Sequence, residues 1–258
     1  MSIVPKLILV SFADKRYRNS LRRLEEQTKD FPFNERYFLT PDNCLTKDYW
    51  RRLKPWFYRR GYGYWSWKSA IVKDLFDKLE VGDMLFWSDA GLFWNYTERS
   101  LKRFEEYIQM LSGDNDILVF DQPRIEKEWT KGDVFEAINV YGNQEICDSR
   151  QFLGGLFLIK KTVRTKELVN RWSILCDLKK ELVTDKRSTK PNKEGFIENR
   201  HDQSVFSVLV KTYPHAVVSW QETQVSDGDW ESLCDYPIQA RRLKEKDKPM
   251  SEIIKNKL

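Results

Sequence analysis

The chain has 258 residues, 41% hydrophobic and 32% charged, with 44 Lys and Arg against 39 Asp and Glu for a net charge of +5. That length buries roughly three quarters of the unfolded surface, so folding needs no disulfide or metal staple. The charge excess is mild and spread along the chain, which suits phosphate-bearing ligands or an anionic membrane surface and excludes duplex DNA as a partner.

No run of 18 apolar residues is present, so no spanning helix is expected. The first ten residues lack a basic segment leading into a long apolar one, and a cytoplasmic location is the expectation. Cys44, Cys147, Cys176 and Cys234 lie far apart without a C-x-x-C pair, so neither a zinc site nor a disulfide framework is expected. Ten Trp are more than core packing asks for. Indole is a good platform for sugar and base rings, although the core is the commoner home of any single Trp.

In chain order, Lys6–Phe12 is a short apolar run that predicts a buried first strand. Tyr17–Lys29, with Leu21 and Leu24 at helical spacing, predicts a helix, and Arg36–Leu39 a second strand stopped by Thr40-Pro41-Asp42. A β-α-β opening of this kind implies a parallel pair. Residues 45–60 mix aromatics and arginines and suggest a short helix under a loop. Gly61–Gly63 predicts a turn, followed by a helix over Ser66–Leu79 with Ile71, Leu75, Phe76 and Leu79 on one face.

Met84–Trp87 is a third strand with Asp89 just beyond its end. Leu101–Leu111 is an amphipathic helix, Ile117–Phe120 a fourth strand, and 121–136 a polar loop leading into a helix. Phe152–Lys160 predicts a strand that bends at Gly154-Gly155, where a ligand or another backbone approaches. Lys166–Leu182 is helical, and Thr184–Glu198, polar with Pro191 and Gly195, predicts a mobile loop. Arg200–Lys211 returns to helix, and a short strand and an irregular tail follow Tyr213. No repeat or long linker divides the chain, so one α/β domain with a mostly parallel central sheet flanked by helices is expected.

Three groups of residues carry candidate chemistry. Asp89, followed by small Ala90 and Gly91, leaves room for a diphosphate and a divalent cation, since Mg²⁺ and Mn²⁺ take one or two carboxylates plus phosphate oxygens. It also reads as an ordinary turn or N-cap residue. Asp202, within Arg200–Ser204, reads either as a helix N-cap or as a general base on an acceptor hydroxyl. Arg60 and Lys68 flank the aromatic turn, either as surface cations or as groups that neutralise a leaving diphosphate. Lys131 and Asp133, after Glu128-Trp129, form a polar cluster able to face an acceptor. With two histidines, His201 and His215, and no nucleophile motif, a Ser-His-Asp hydrolase is excluded. The basic tail, Arg241 and Arg242 with Lys244, Lys246, Lys248, Lys255 and Lys257, reads as a solvated end or a peripheral membrane contact.

Taken together, Arg60–Lys68 (RGYGYWSWK), Trp87–Gly91 (WSDAG) and Glu198–Ser207 (ENRHDQSVFS) resemble nucleotide-diphospho-sugar glycosyltransferases of the GT-A fold. These occur in bacterial capsule and lipopolysaccharide clusters and in large viruses. Glu128–Asp133 and Gly154–Phe157 fall between the three segments in the expected order. The resemblance covers roughly residues 1–215. It implies a Rossmann-like GT-A domain with a nucleotide-binding half at about 1–110, an acceptor half at about 111–215 and a tail over 216–258. It implies a Leloir-type hexosyl- or pentosyltransferase that moves a sugar from a nucleotide-sugar donor, UDP first among the candidates, to a glycan or lipid-linked glycan.

On this likeness Asp89 corresponds to the first acid of the DxD motif and to the metal ligand for Mn²⁺ or Mg²⁺, while the second acid is replaced by Gly91. Asp202 falls where an acid faces the acceptor. Ser11, Phe12, Arg60, Tyr64, Trp67, Lys68 and Ala90 fall on the donor side, with Trp65 a further stacking surface. Trp129, Lys131, Asp133 and His201 fall on the acceptor side. A nucleotidyltransferase is disfavoured because Ser11–Lys15 lacks the glycine-rich loop such enzymes carry. A catalytically silent sugar- or nucleotide-binding module of the same fold remains the alternative.

Overall fold

The computed structural model describes residues 5–44 and 60–243; the segment 45–59 and the lysines after Leu243, for which a helix and a basic tail were expected, lie outside them. Elements follow in the order β1 (Leu7–Phe12), α1 (Arg18–Thr28), β2 (Glu35–Leu39), α2 (Trp67–Phe76), β3 (Met84–Ser88), β4 (Phe93–Trp94), α3 (Glu98–Gln109), β5 (Ile117–Ile125), α4 (Glu126–Trp129), α5 (Gly132–Ala137), α6 (Gln144–Asp148), β6 (Arg150–Lys160), α7 (Val163–Leu178), α8 (Asp202–Val210), β7 (Ala216–Val218) and β8 (Ile238–Gln239). Capping sets several boundaries. Thr97 and Thr162 each accept from the third residue of their helix, whose hydroxyl in turn accepts the Thr backbone N–H, and α3 and α7 begin there.

Six strands form one sheet in the order β2-β1-β3-β6-β5-β7. β1 pairs in parallel with β2 and β3, and β5 with β7, while β6 runs antiparallel to both neighbours. The sheet is therefore mostly parallel with one reversed strand, as the α/β reading requires. Apolar side chains cover both of its faces. Ile8, Val10, Leu85, Trp87 and Phe157 pack with α2, α7 and α8, whereas Leu7, Leu9, Phe86, Leu158 and Phe104 of α3 pack on the other side. Burial on both faces explains why these strands read as continuous apolar runs rather than alternating ones. No helix among the described residues is long and apolar enough to cross a membrane.

β6 is one strand through Gly154-Gly155, with an irregularity at the expected place: its pairing with β5 slips between Phe157 and Phe152, and the glycines serve a close approach, described below. Two expectations are corrected. Residues 121–125, expected in a loop, prolong β5, which shifts register against β6 there. The polar loop 184–199 is tied down: Asp133 accepts from the Thr189 and Lys190 backbones, the Asn192 side chain accepts from Gly132 N–H, and Lys131 donates to the carbonyls of Glu181, Thr184 and Lys186. The tail also gains a strand, β8, paired antiparallel with β4.

Candidate active site

The edge of the sheet where β1 and β3 end opens into a cavity of about 900 Å³. Asp89 follows β3, and its backbone N–H donates to Gly155 of the reversed strand at 2.8 Å. A Cβ on Gly155 would sit 2.6 Å from Asp89 Oδ2, and one on Gly154 would sit 2.8 Å from Gln203 Cβ. The glycine pair thus lets β6 lie against Asp89 on one side and against the start of α8 on the other.

Lys68, in the first turn of α2, reaches into this gap. Its ammonium donates to the Gly154 carbonyl at 2.7 Å and lies 3.1 Å from Asp89 Oδ1 and 3.5 Å from Asp202 Oδ2. The indole of Trp87 donates to Asp89 Oδ1 at 2.7 Å. The two aspartates, 113 positions apart in sequence by their numbers, therefore meet across one lysine. Exposure separates them: the Asp89 side chain is 39% exposed, Asp202 5% and Lys68 3%. Asp89 is held by Lys68 and Trp87, and only its carbonyl serves the turn, through Leu92 N–H.

Electrostatics follow from this burial. Desolvation pushes the Asp202 carboxyl up to about 7, with Asp89 adding to the rise and Lys68 opposing it. Burial works against the charge on Lys68, but Asp89 and Asp202 outweigh it and hold its pKa above the ordinary value. Asp202 is the first residue of α8 and His201 occupies the N-cap, which replaces the expected N-cap reading of Asp202.

The aromatic turn has an unusual backbone. Gly61, Tyr62, Gly63, Tyr64 and Trp65 all have positive φ, forming one left-handed helical turn. Each non-glycine residue there costs about 1–2 kcal/mol. The turn is held by Trp65 N–H to the Gly61 carbonyl at 3.1 Å, Trp67 Nε1 to the same carbonyl at 3.0 Å, and Ser66 Oγ to the Gly63 carbonyl at 2.7 Å. Trp65 stacks on His201, with ring centroids 5.5 Å apart. The strain brings Tyr62 and Trp65 to the cavity wall.

Of the other predicted residues, Phe12, Arg60, Trp67, Ala90 and His201 line the cavity. Phe12 and Trp67 pack together at 4.3 Å, and Arg60 pairs with Asp185 at 3.3 Å. The His201 Nδ1 lies 2.8 Å from the Val183 carbonyl, and burial lowers its pKa, keeping the ring neutral. Ser11 is buried just behind the wall, and Tyr64 packs against His201. Trp129, Lys131 and Asp133 do not line this cavity; the last two anchor the 184–199 loop. His215 packs on Phe152, away from Asp89. Most of the buried indoles (Trp87, Trp94 and Trp172) are core, and among the described residues only Trp65 and Trp67 line the cavity.

Several lining residues escaped the sequence reading. Arg16 and Arg18 follow β1, Gln203 follows Asp202, and Arg242 arrives from the tail, fixed by Leu243 N–H donating to the Gly91 carbonyl at 2.8 Å. Arg241 stacks over Phe93 at 4.5 Å, so neither tail arginine is a free solvated end. Among the described residues seven Lys or Arg and four Asp line the cavity, an excess of positive charge suited to an anionic ligand. The residues fit a divalent cation poorly. No group of three His, Cys, Asp or Glu converges among the described residues, and the ammonium of Lys68 already lies against both oxygens of Asp89.

No family model and no curated protein matches the chain. Among solved structures it is similar to a glycosyltransferase involved in glycosylation of the major capsid of PBCV-1, at 12% identity over 98% of each chain with a TM-score of 0.49. It is also similar to apo mouse xyloside xylosyltransferase 1, at 12% identity over 94% of this chain and 95% of that one, with a TM-score of 0.44. The apo WbbM bifunctional glycosyltransferase is matched at 12% identity over 87% of this chain and 40% of that one, with a TM-score of 0.42. Likeness at this level argues for no particular chemistry.

Proposed function

We propose that the chain is a glycosyltransferase that moves a sugar from a nucleoside diphosphate, UDP first among the candidates, to a hydroxyl of a surface glycan such as capsule or lipopolysaccharide. The observation that carries this is the Asp89–Lys68–Asp202 constellation on the floor of a basic cavity. The acceptor oxygen attacks the anomeric carbon, the bond from that carbon to the diphosphate oxygen breaks, and the electron pair leaves on the diphosphate. Lys68, with Arg60, offsets the charge that develops there, commonly a large part of catalysis. Asp202 takes the hydroxyl proton; a carboxyl whose pKa stands near 7 is well matched to that task at neutral pH. Phe12, Trp65 and Trp67 offer ring surfaces on the donor side. Mn²⁺ or Mg²⁺ at Asp89 would have to compete with the Lys68 ammonium and draw its remaining ligands from the diphosphate and water.

We read residues 1–258 as one domain working in a cytoplasm, with an acceptor that is polymeric or lipid-linked and a peripheral contact with the membrane. The absence of a disulfide among the four cysteines is in keeping with that compartment. The near-complete burial of Asp202 favours a second reading, in which it serves as counter-ion to Lys68 in a binding module without turnover.

Thermal-shift screening against UDP-, GDP-, dTDP- and CMP-sugars, each with and without Mn²⁺, tests the donor. One nucleotide sugar is expected to stabilise the protein, and silence from all four classes would end the proposal. Asp202→Asn then separates the two readings. As the base, its loss lowers kcat by about 10²–10⁴-fold and leaves donor Kd unchanged. As a counter-ion its loss shifts donor Kd, with no turnover in the wild type to lose.

A further inference from the structure

Beside the cavity, two guanidinium groups lie over one indole. Arg200 stands 4.5 Å and Arg124 4.9 Å from the ring centroid of Trp129. Arg200 and Arg242 both line the cavity. Like charges collected on one ring repel each other, and the structure offers little to offset them. Glu198 pairs with Arg200 at 3.0 Å, while Arg124 donates to the uncharged Gln122 side chain at 2.8 Å. Among the described residues Arg242 has no carboxylate partner, and Arg200 Nε is buried without a hydrogen-bond partner. Burial lowers the pKa of both Arg124 and Arg200, and the neighbouring arginines push in the same direction.

We infer that Arg124 and Arg200 over Trp129, with Arg242 on the cavity wall, form an anion subsite distinct from the diphosphate position at Asp89 and Lys68, and that the acceptor carries a phosphate or carboxylate group near the hydroxyl it offers. The inference rests on the glycosyltransferase reading for the word acceptor, and on the arginine cluster alone for the anion. A guanidinium fork matches the two oxygens of either group, and the indole beneath fixes the plane of the fork. The position follows from the chain: Arg200 lies two residues before Asp202, so an anion on the cluster sits beside the proposed base. Trp129 was expected on the acceptor side from sequence, and its role here is to carry the arginines.

The test uses the full chain saturated with UDP, titrated with inorganic phosphate and followed by ³¹P line broadening of the phosphate signal. Phosphate is expected to bind with UDP in place, and Arg124→Gln to weaken it roughly tenfold or more, as loss of a charge-assisted hydrogen bond does. UDP affinity should stay unchanged in that variant, since Arg124 does not line the cavity. Arg242 makes no ion pair among the described residues, so Arg242→Gln is expected to weaken phosphate as well and guards against a folding defect in the first variant. Glucuronate as competitor distinguishes a carboxylate source from a phosphate one. Displacement of phosphate by UDP, or phosphate affinity untouched by both substitutions, would overturn the subsite. Should UDP fail to bind at all, the function proposed above falls, and the phosphate titration without UDP still decides the subsite through the same variants.

Discussion

Among the described residues, Lys68 and Lys211 are both buried against carboxylates, and of the two only Lys68 faces the cavity. Lys211 is 6% exposed and pairs with Glu126, which is fully covered. Every oxygen of Glu126 is occupied: Ser207 and Lys211 donate to Oε2, Thr130 and Gln151 to Oε1. Lys68 is buried as deeply, but it serves two carboxylates, one of them 39% exposed, and leaves Asp202 Oδ2 without a hydrogen bond. One pair is closed and balanced, while the other holds surplus negative charge and unspent hydrogen-bonding capacity at the edge of a cavity. A buried ion pair therefore says little about function until its remaining lone pairs are counted.

Substitution of the two lysines gives the sharpest break. Lys211→Met strands a fully buried carboxylate and is expected to cost about 3–5 kcal/mol in urea unfolding. Lys68→Met should cost much less, because Asp89 turns to water and Asp202 keeps its proton. Its effect belongs in kcat, with a loss of about 10²–10³-fold as expected for removing charge stabilisation from a leaving group. Equal destabilisation by both variants would erase the distinction between the pairs.

The adjacent glycines sharpen it next. Gly155→Ala drives a methyl group into the Asp89 carboxylate, 2.6 Å from Oδ2, so the carboxylate must leave Lys68. Gly154→Ala meets Gln203 at its Cβ, 2.8 Å, and its Cα, 3.0 Å, and must push the start of α8 outward. Overpacking of this kind costs about 1–3 kcal/mol. We expect Gly154→Ala at the upper end of that range and Gly155→Ala at the lower end with the larger loss of turnover. Melting temperatures and initial rates on the same preparations check both.

The sequence made the strands legible because both faces of the sheet are buried, leaving apolar runs such as Leu7–Phe12 and Met84–Trp87 that hardly depend on context. Asp89 and Lys68 were legible for a related reason: a strand end and a helix start are local features, and the topology brings them to one edge. Arg242 was not legible. It reaches the cavity only because β8 pairs with β4, a contact between residues more than a hundred positions apart that leaves no trace in local spacing. Lys131 and Asp133 misled for the opposite reason. Charged residues near an aromatic read as a site, yet here they satisfy the backbone of a long loop, a demand invisible until the loop has a course. The Gly154-Gly155 pair is legible as an irregular strand with a close approach, and the pairing with β5 slips there, but its partners, Asp89 and Gln203, come from two other parts of the chain that local sequence does not name.

The smallest expected effect tests the surplus charge directly. Asp202 is raised to about 7 from an ordinary carboxyl value of 3.8, so between those limits the folded chain holds a proton that the unfolded chain has released. Stability must then fall as pH rises through that window, and the full cost is present above about pH 7. His201 and His215 act in the opposite direction: burial holds both below the ordinary imidazole value, so they cost stability as pH falls. Comparing the wild type with Asp202→Asn at each pH cancels the histidines to first order and isolates the carboxyl. The wild type should lose roughly 1–2 kcal/mol relative to the variant between pH 6 and pH 8, a size set by the free-energy equivalent of a pKa unit. A difference that stays flat, or rises with pH, would mean that Lys68 balances Asp202 as fully as Lys211 balances Glu126, and the contrast between the two pairs would be lost.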